Sequence, residues 1–423
     1  MRGHVRILVV STLYPPVAFG GYEVECSGVV ERLREQHEVL VLTSEVKGAG
    51  ADEIGVRREL VGLTPDAKGA LRAPLASLRA VSTARRALAW EPDLIYCWNG
   101  SSIPQAALRV LADSDVPFAF RVCEHWFGRI FVRDQFLREL IPAQRDPLRA
   151  AWAASCRAID SLPSMRLQAT APFRAAISWN SEAIRQMVET PPFIEPVLER
   201  VDHSVPRFGD LYAGVIRGPG PPQPEIVFLG RVTPYKGVRV AIEALALLRE
   251  DYDIHALLHV LGPGDEDHTS EMREKASRLG VGDAVRWHGP TAPEQAAELL
   301  ASASAMIVPS TWREPFPLVT IEGALARVPL VASDVGGIGE GMHDEEHALL
   351  FEPGNPDAAA AALARTLREG EQTAARVGRA HERAQQFRIG PYLDAQERFV
   401  IDAHAALLGA REGTSRSSAG PSL

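Results

Sequence analysis

The stretch Glu225–Glu250, EIVFLGRVTPYKGVRVAIEALALLRE, reads in one pass as a strand, a loop and a helix. EIVFLG is a short apolar run closed by glycine, RVTPYKG carries Pro, Gly and two cations, and VRVAIEALALLRE repeats apolar residues at helical spacing. Strands that alternate with helices belong to a parallel sheet, because parallel neighbours need a crossover connection and a helix supplies it. Ligands of such sheets collect at the carboxyl ends of the strands. Arg231 and Lys236, just past the strand, therefore stand where chemistry is to be sought.

The same grammar extends in both directions. HALLHVLG, VRWHG, AMIVPS and PLVAS follow as short strands in the C-terminal half. VRILVV, HEVLVLTS, PDLIYCWNG, VPFAFRVCEHW and AAISWNS precede it as strands of the N-terminal half. Between the halves, PRFGDLYAGVIRGPGPPQPE is rich in Pro and Gly and has no sustained period. The expectation is an α/β protein of two Rossmann-like domains facing each other across a cleft. The first spans 1–205, a linker 206–224, and the second 225–385. A last helix at 386–408 is read as one that docks back on the first domain, and 409–423 as a disordered polar tail.

Composition narrows the function. A chain of 423 residues exceeds what one core usually serves, which also favours two domains. A net charge of −9 argues against non-specific nucleic-acid binding, so an anionic ligand must be held by a local site. Cys26, Cys97, Cys123 and Cys156 form no C-x-x-C pair, and read as reduced thiols rather than a zinc site or a disulfide framework. The N-terminal apolar run is too short for a signal sequence, and no uncharged run approaches the roughly 20 residues that cross a bilayer. A cytoplasmic chain is expected.

Four features carry chemistry. Arg231 offers a planar fork of donors and Lys236 a movable charge, beside a helix start that already favours an anion. Alone, such a pair reads more readily as solvated loop cations. In REPFPLVTIEG, Pro315 and Pro317 forbid one continuous helix, so Glu314 falls in a loop and Glu322 about one turn into a helix that begins near Leu318. Both carboxylates suit vicinal hydroxyls; alone, they read equally as acids favoured near a helix N-terminus. Gly20 and Gly21, before the first helix, permit close backbone approach to an anion or sugar. His125 stands just past a strand, as do Asn99, Asn180 and the glycines Gly336 and Gly337.

In order along the chain, PPVAFGGYE, GRVTPYKG, LGPGDE, VRWHG and above all EPFPLVTIE followed by GALARVPLVASDVGG resemble the retaining, nucleotide-sugar-dependent glycosyltransferases of the GT-B architecture, family 4-like, also called glycosyl transferases group 1. The resemblance covers the chain up to about residue 408 and implies roles. Arg231 and Lys236 would grip the donor diphosphate and stabilise the leaving group, and Glu314 would hold hydroxyls of a hexose-type sugar. Glu322 would take the ribose diol, and the run Phe316, Pro317, Leu318 and Val319 would line the donor, its amides capping the phosphates. Gly21, with Gly20 beside it, would lie by the diphosphate, and His125 beside the sugar. No dedicated base is implied, because the leaving phosphate accepts the acceptor's proton on the same face. The family commonly has Gly where this chain has Pro317, which removes an N–H from the donor site. No Asp-x-Asp motif stands at a strand end, so no cofactor and no obligatory metal is expected.

Two other readings keep the same sites. A nucleotide-sugar epimerase shares the two-domain plan, and a catalytically idle sugar-nucleotide-binding protein would keep the fold alone. The partners expected are a nucleoside-diphosphate sugar and a hydroxyl acceptor. The basic run with Lys68, Arg72, Arg79, Arg85 and Arg86 suits an anionic membrane surface, although a solvated helix face is the favoured reading. Phe127, Phe131 and Phe136 mark a segment read as a lid or specificity element over the acceptor.

Overall fold

All strand pairings in both sheets are parallel among the described residues. The computed structural model describes residues 4–17, 21–45, 53–60, 67–101, 103–129, 172–218 and 220–418. In the first unit β1 (Arg6–Ser11), β2 (Glu38–Ser44), β3 (Val56–Leu60), β4 (Leu94–Asn99), β5 (Phe118–Val122), β6 (Phe173–Trp179) and β7 (Ile194–Val201) lie in the order β3-β2-β1-β4-β5-β6-β7. Val9 of β1 stands between Val41 and Tyr96. The central strands are buried along nearly their whole length, which explains their continuous apolar runs. Helices α1 (Gly21–Arg34), α2 (Ala67–Leu88) and α3 (Gln105–Ala112) serve this sheet, and α1 buries Cys26, Val29, Val30 and Leu33 as one stripe.

The second unit is built on β8 (Glu225–Leu229), β9 (Leu257–Leu261), β10 (Val285–Gly289), β11 (Ala305–Val308), β12 (Leu330–Ser333) and β13 (Leu349–Phe351). Their order is β10-β9-β8-β11-β12-β13. In both sheets the chain extends one side first and then returns to the other, so the strand order reverses beside β1 and beside β8. Such a reversal opens a crevice at the carboxyl ends, between β8 and β11 in this unit.

After β6 come α4 (Glu182–Met187) and α5 (Gly209–Ala213), and in the second sheet α6 (Val238–Tyr252), α7 (Glu266–Arg278), α8 (Pro293–Ser302), α9 (Leu318–Leu325) and α10 (Ile338–Gly341). Next follow α11 (Pro356–Arg368), α12 (Gly370–Ala384) and α13 (Ile389–Ser418). Asp265 caps α7 by accepting from His268 N, and Asn355 caps α11 by accepting from Ala358 N.

The units are not simple halves. The first comprises 1–180, 184–202 and 393–423; the second comprises 181–183 and 203–392. Two corrections follow. The residues expected as a linker belong to the second unit, where Gly209–Ala213 form α5. Arg217 there donates to the carbonyls of Leu300, at 2.6 Å, and Ala303, at 2.8 Å, at the end of α8. A guanidinium satisfies the terminal carbonyls that a helix cannot bond itself, and this ties the Pro-rich segment down. The tail expected to be disordered from 409 is helical as far as Ser418, because extending a formed helix is far easier than starting one.

From Leu393 onward α13 belongs to the first unit. The Tyr96 hydroxyl donates to Gln396 Oε1 at 2.7 Å, and Arg32 meets Asp394 at 2.9 Å and Glu397 at 3.0 Å. In the second unit Glu340 accepts from the amides of Glu182, at 2.7 Å, and Ala183, at 2.9 Å, and meets His203 Nε2 at 2.6 Å. Burial opposes ionisation of Glu340, yet these hydrogen bonds outweigh it and hold the carboxyl below its ordinary range. The segments it gathers are those at which the chain passes between units.

Candidate functional site

The crevice beside β8 is built by three loops that converge on one carboxylate. The first follows β8 and ends at Gly237, whose φ is +75°. A Cβ at Gly237 would stand 1.8 Å from the carbonyl oxygen of Pro309, so only glycine lets this loop lie against the end of β11. The residue before it, Lys236, thereby reaches Glu314 Oε1 with its Nζ at 2.6 Å. The second loop follows β11, and its Ser310 donates a hydroxyl to the same Oε1 at 2.5 Å. In the third, after β12, the Gly337 amide donates to the Glu314 carbonyl at 2.7 Å, while Gly336, at φ +60°, packs on the Glu314 backbone.

Glu314 is 3% exposed, and a carboxylate so buried needs charge and hydrogen-bond partners to offset the loss of water. Lys236 and Ser310 both serve Oε1. Oε2 has no hydrogen bond among the described residues. Arg231 is exposed, with its guanidinium 5.7 Å from the centre of the Tyr235 ring, and Tyr235 meets Trp312 edge-on at 5.4 Å. The Thr311 amide donates to the Tyr235 carbonyl at 2.9 Å, which joins the first two loops.

Pro317 occupies the N-cap of α9 with φ −79° and ψ 102°, and no side chain caps the helix there. The amides of Leu318 and Val319 precede the point at which intrahelical bonding begins. Glu322 lies one turn into α9. It keeps some exposure at its edge, but burial pushes its carboxyl up to about 7. Burial, and then the charge of Glu322, lifts the nearby Tyr212 hydroxyl above its ordinary range.

Phe316, expected to line the donor, is buried with its ring against His203, at 5.0 Å, and Phe387, at 5.5 Å. In the first unit, Gly21 is the first residue of α1 and His125 lies half-buried in the turn after β5; Gly20 lies outside the described residues. Burial, followed by the charges of Glu23 and Glu124, raises the Tyr22 hydroxyl well above its usual range. Phe131, Phe136 and Cys156 also lie outside the described residues, and Cys26, Cys97 and Cys123 are buried and form no disulfide among the described residues.

Among the described residues one group has metal-ligand composition: His343, Glu346 and His347, on the turn between α10 and β13. His347 Nδ1 accepts from the His343 amide at 3.1 Å, which puts the proton of a neutral ring on Nε2. That nitrogen faces Glu346 at 3.6 Å and has no lone pair for an ion, so the group is a hydrogen-bonded turn.

Residues 217–383 match the family model described as Glycosyl transferases group 1. The chain carries a group 1 glycosyltransferase domain. All three converging loops lie inside that matched segment. Over 172 residues the chain is 32% identical to a D-inositol 3-phosphate glycosyltransferase of Streptomyces avermitilis, covering 39% of this chain and 37% of that protein. A Corynebacterium efficiens protein of the same name is 36% identical over 167 residues, 38% of this chain and 39% of its own length. The chain thus matches well under half the length of these curated relatives.

Solved structures resemble nearly the whole chain. Anabaena HepE, crystallised with UDP and glucose, gives a TM-score of 0.60 at 20% identity over 93% of this chain and 99% of its own. Sucrose-phosphate synthase from Thermosynechococcus elongatus gives 0.65 at 18% identity over 98% and 100%. At these identities the likeness concerns the fold. Two parallel α/β domains of GT-B type are what this chain shares with them.

Sequence reasoning marked Lys236, Glu314 and Glu322 but passed over Ser310, although it is the residue that ends AMIVPS. Its position just after a strand was the available signal. Tyr235 and Trp312 left no signal that separates a site wall from core packing.

Proposed function

We propose that this chain is a retaining glycosyltransferase that moves a hexose-type sugar from a nucleoside-diphosphate sugar to an acceptor hydroxyl. The observation that carries this reading is the Lys236–Glu314–Ser310 arrangement at the carboxyl ends of β8 and β11. Lys236 and Arg231 supply the positive charge that a diphosphate needs, and the Leu318 and Val319 amides supply donors at a helix start. Glu314, held through Oε1, offers Oε2 to the sugar hydroxyls, and Glu322 faces the ribose. Pro317 contributes no N–H, so donor recognition leans on the side chains around it.

In the reaction the acceptor oxygen bonds to the anomeric carbon as that carbon's bond to the phosphate oxygen breaks. Negative charge gathers on the departing diphosphate, where Arg231 and Lys236 stabilise it, and the acceptor's proton passes to the leaving phosphate on the same face. These cations make a divalent metal unnecessary. Roles for Gly21 and His125 rest on the family resemblance alone. The names of the relatives support transfer over epimerisation, and the HepE complex supports a uridine nucleotide as the first donor to try. A cytoplasmic location is part of this proposal; among the described residues no helix is long and apolar enough to cross a membrane.

The test is turnover of nucleotide sugars against acceptor pools, read by mass spectrometry and run with and without EDTA. Glu314→Ala and Lys236→Ala are each expected to lower turnover by about 10²–10³-fold while circular dichroism stays native. Unchanged turnover in either variant sinks the proposal, and loss of activity with EDTA sinks its metal-free part.

A further inference from the structure

We infer that Ser310 is a positioning residue for Glu314, and so sets the affinity for the sugar part of the donor rather than for its nucleotide part. The inference rests on the glycosyltransferase reading. Ser310 is 1% exposed, and its hydroxyl lies 2.5 Å from Glu314 Oε1, the oxygen that Lys236 Nζ also reaches at 2.6 Å. The two donors differ in freedom. Lys236 keeps side-chain exposure of 21% and stands on a flexible stem, whereas Ser310 is fixed in the loop immediately after β11.

A diphosphate drawn to Lys236 competes with Glu314 for the ammonium. Ser310 then remains the donor that holds Oε1 in place, and Oε2 keeps its direction toward the sugar. A short hydroxyl can do this because it has one bond to rotate and no charge for the diphosphate to attract. The backbone of Glu314 is clamped from the other side by Gly337 N at 2.7 Å, so the carboxyl group's own torsions are what Ser310 controls.

The experiment is calorimetric binding of UDP, UDP-glucose, UDP-N-acetylglucosamine and GDP-mannose to the full chain and to Ser310→Ala and Ser310→Cys. Cysteine fills nearly the same space but is a weak donor. Loss of a hydrogen bond to a charged group predicts that both variants weaken by about 10-fold or more toward the preferred sugar nucleotide, and by less than about 2-fold toward its bare nucleoside diphosphate. A variant that loses both affinities equally, or keeps the preference for the sugar nucleotide, overturns the role of Ser310 and leaves the enzyme reading intact. Ser310→Cys that binds like wild type overturns it as well, because shape alone would then suffice. A wild-type chain that binds none of the four overturns the underlying reading instead.

Discussion

Glu322 is the residue whose titration can be followed. Burial lifts its carboxyl from an ordinary 4.5 to about 7. Between those values the folded unit holds a proton that the unfolded chain has released. The unfolded state therefore binds fewer protons, and stability falls as pH rises through this window. A shift of that size corresponds to at most about 3.4 kcal/mol, less whatever the partly exposed edge screens. Glu322→Gln should abolish the slope, so that urea unfolding matches wild type near about pH 4 and shows the variant more stable near about pH 8. Equal pH dependence in the two proteins would remove burial of Glu322 as the cause. At the same scale, the sequence identified the carboxylates but not what holds them. Pro315 and Pro317 disclosed that Glu314 leaves the helix, because proline acts locally. Ser310 and the burial of Phe316 depend on loops brought together by the sheet, which no local pattern encodes.

At the scale of elements, the site is a product of loop packing rather than of any one loop. Gly237 shows how little space there is: an alanine there combines a left-handed backbone with a Cβ on the Pro309 carbonyl. Gly237→Ala is expected to destabilise the second unit by about 2 kcal/mol or more and to abolish sugar-nucleotide binding. Thermal unfolding together with calorimetry checks both, and native stability with native affinity would contradict the packing argument. The central strands were legible, because β1, β4, β8 and β11 are buried runs bounded by polar loops. Of the four edge strands, β10 was legible as VRWHG, but β3, β7 and β13 were not: β7 is half-exposed, and β13 has only three residues. Edge strands carry little hydrophobic signal, since one side of each lacks a neighbour.

For the whole molecule, chain order and structural membership diverge. The first unit is completed by α13, which buries Phe399, Val400 and Ala403 and receives the Tyr96 hydroxyl. Removing residues 393–423 would expose that apolar surface, at about 2 kcal/mol for each large side chain, and leave the buried Tyr96 hydroxyl unpaired. The shortened chain is expected to be insoluble or to unfold well below the full one in a thermal scan; an unchanged transition would show that the helix is dispensable. The tie made by Glu340 has a different consequence. The stretch 217–383 is what evolution has kept recognisable, but one carboxylate within it is satisfied by amides and a ring from Glu182, Ala183 and His203, all outside it. The inherited module and the compact unit are thus different objects. A laboratory wishing to graft the second unit onto another partner would need to carry both crossing segments with it.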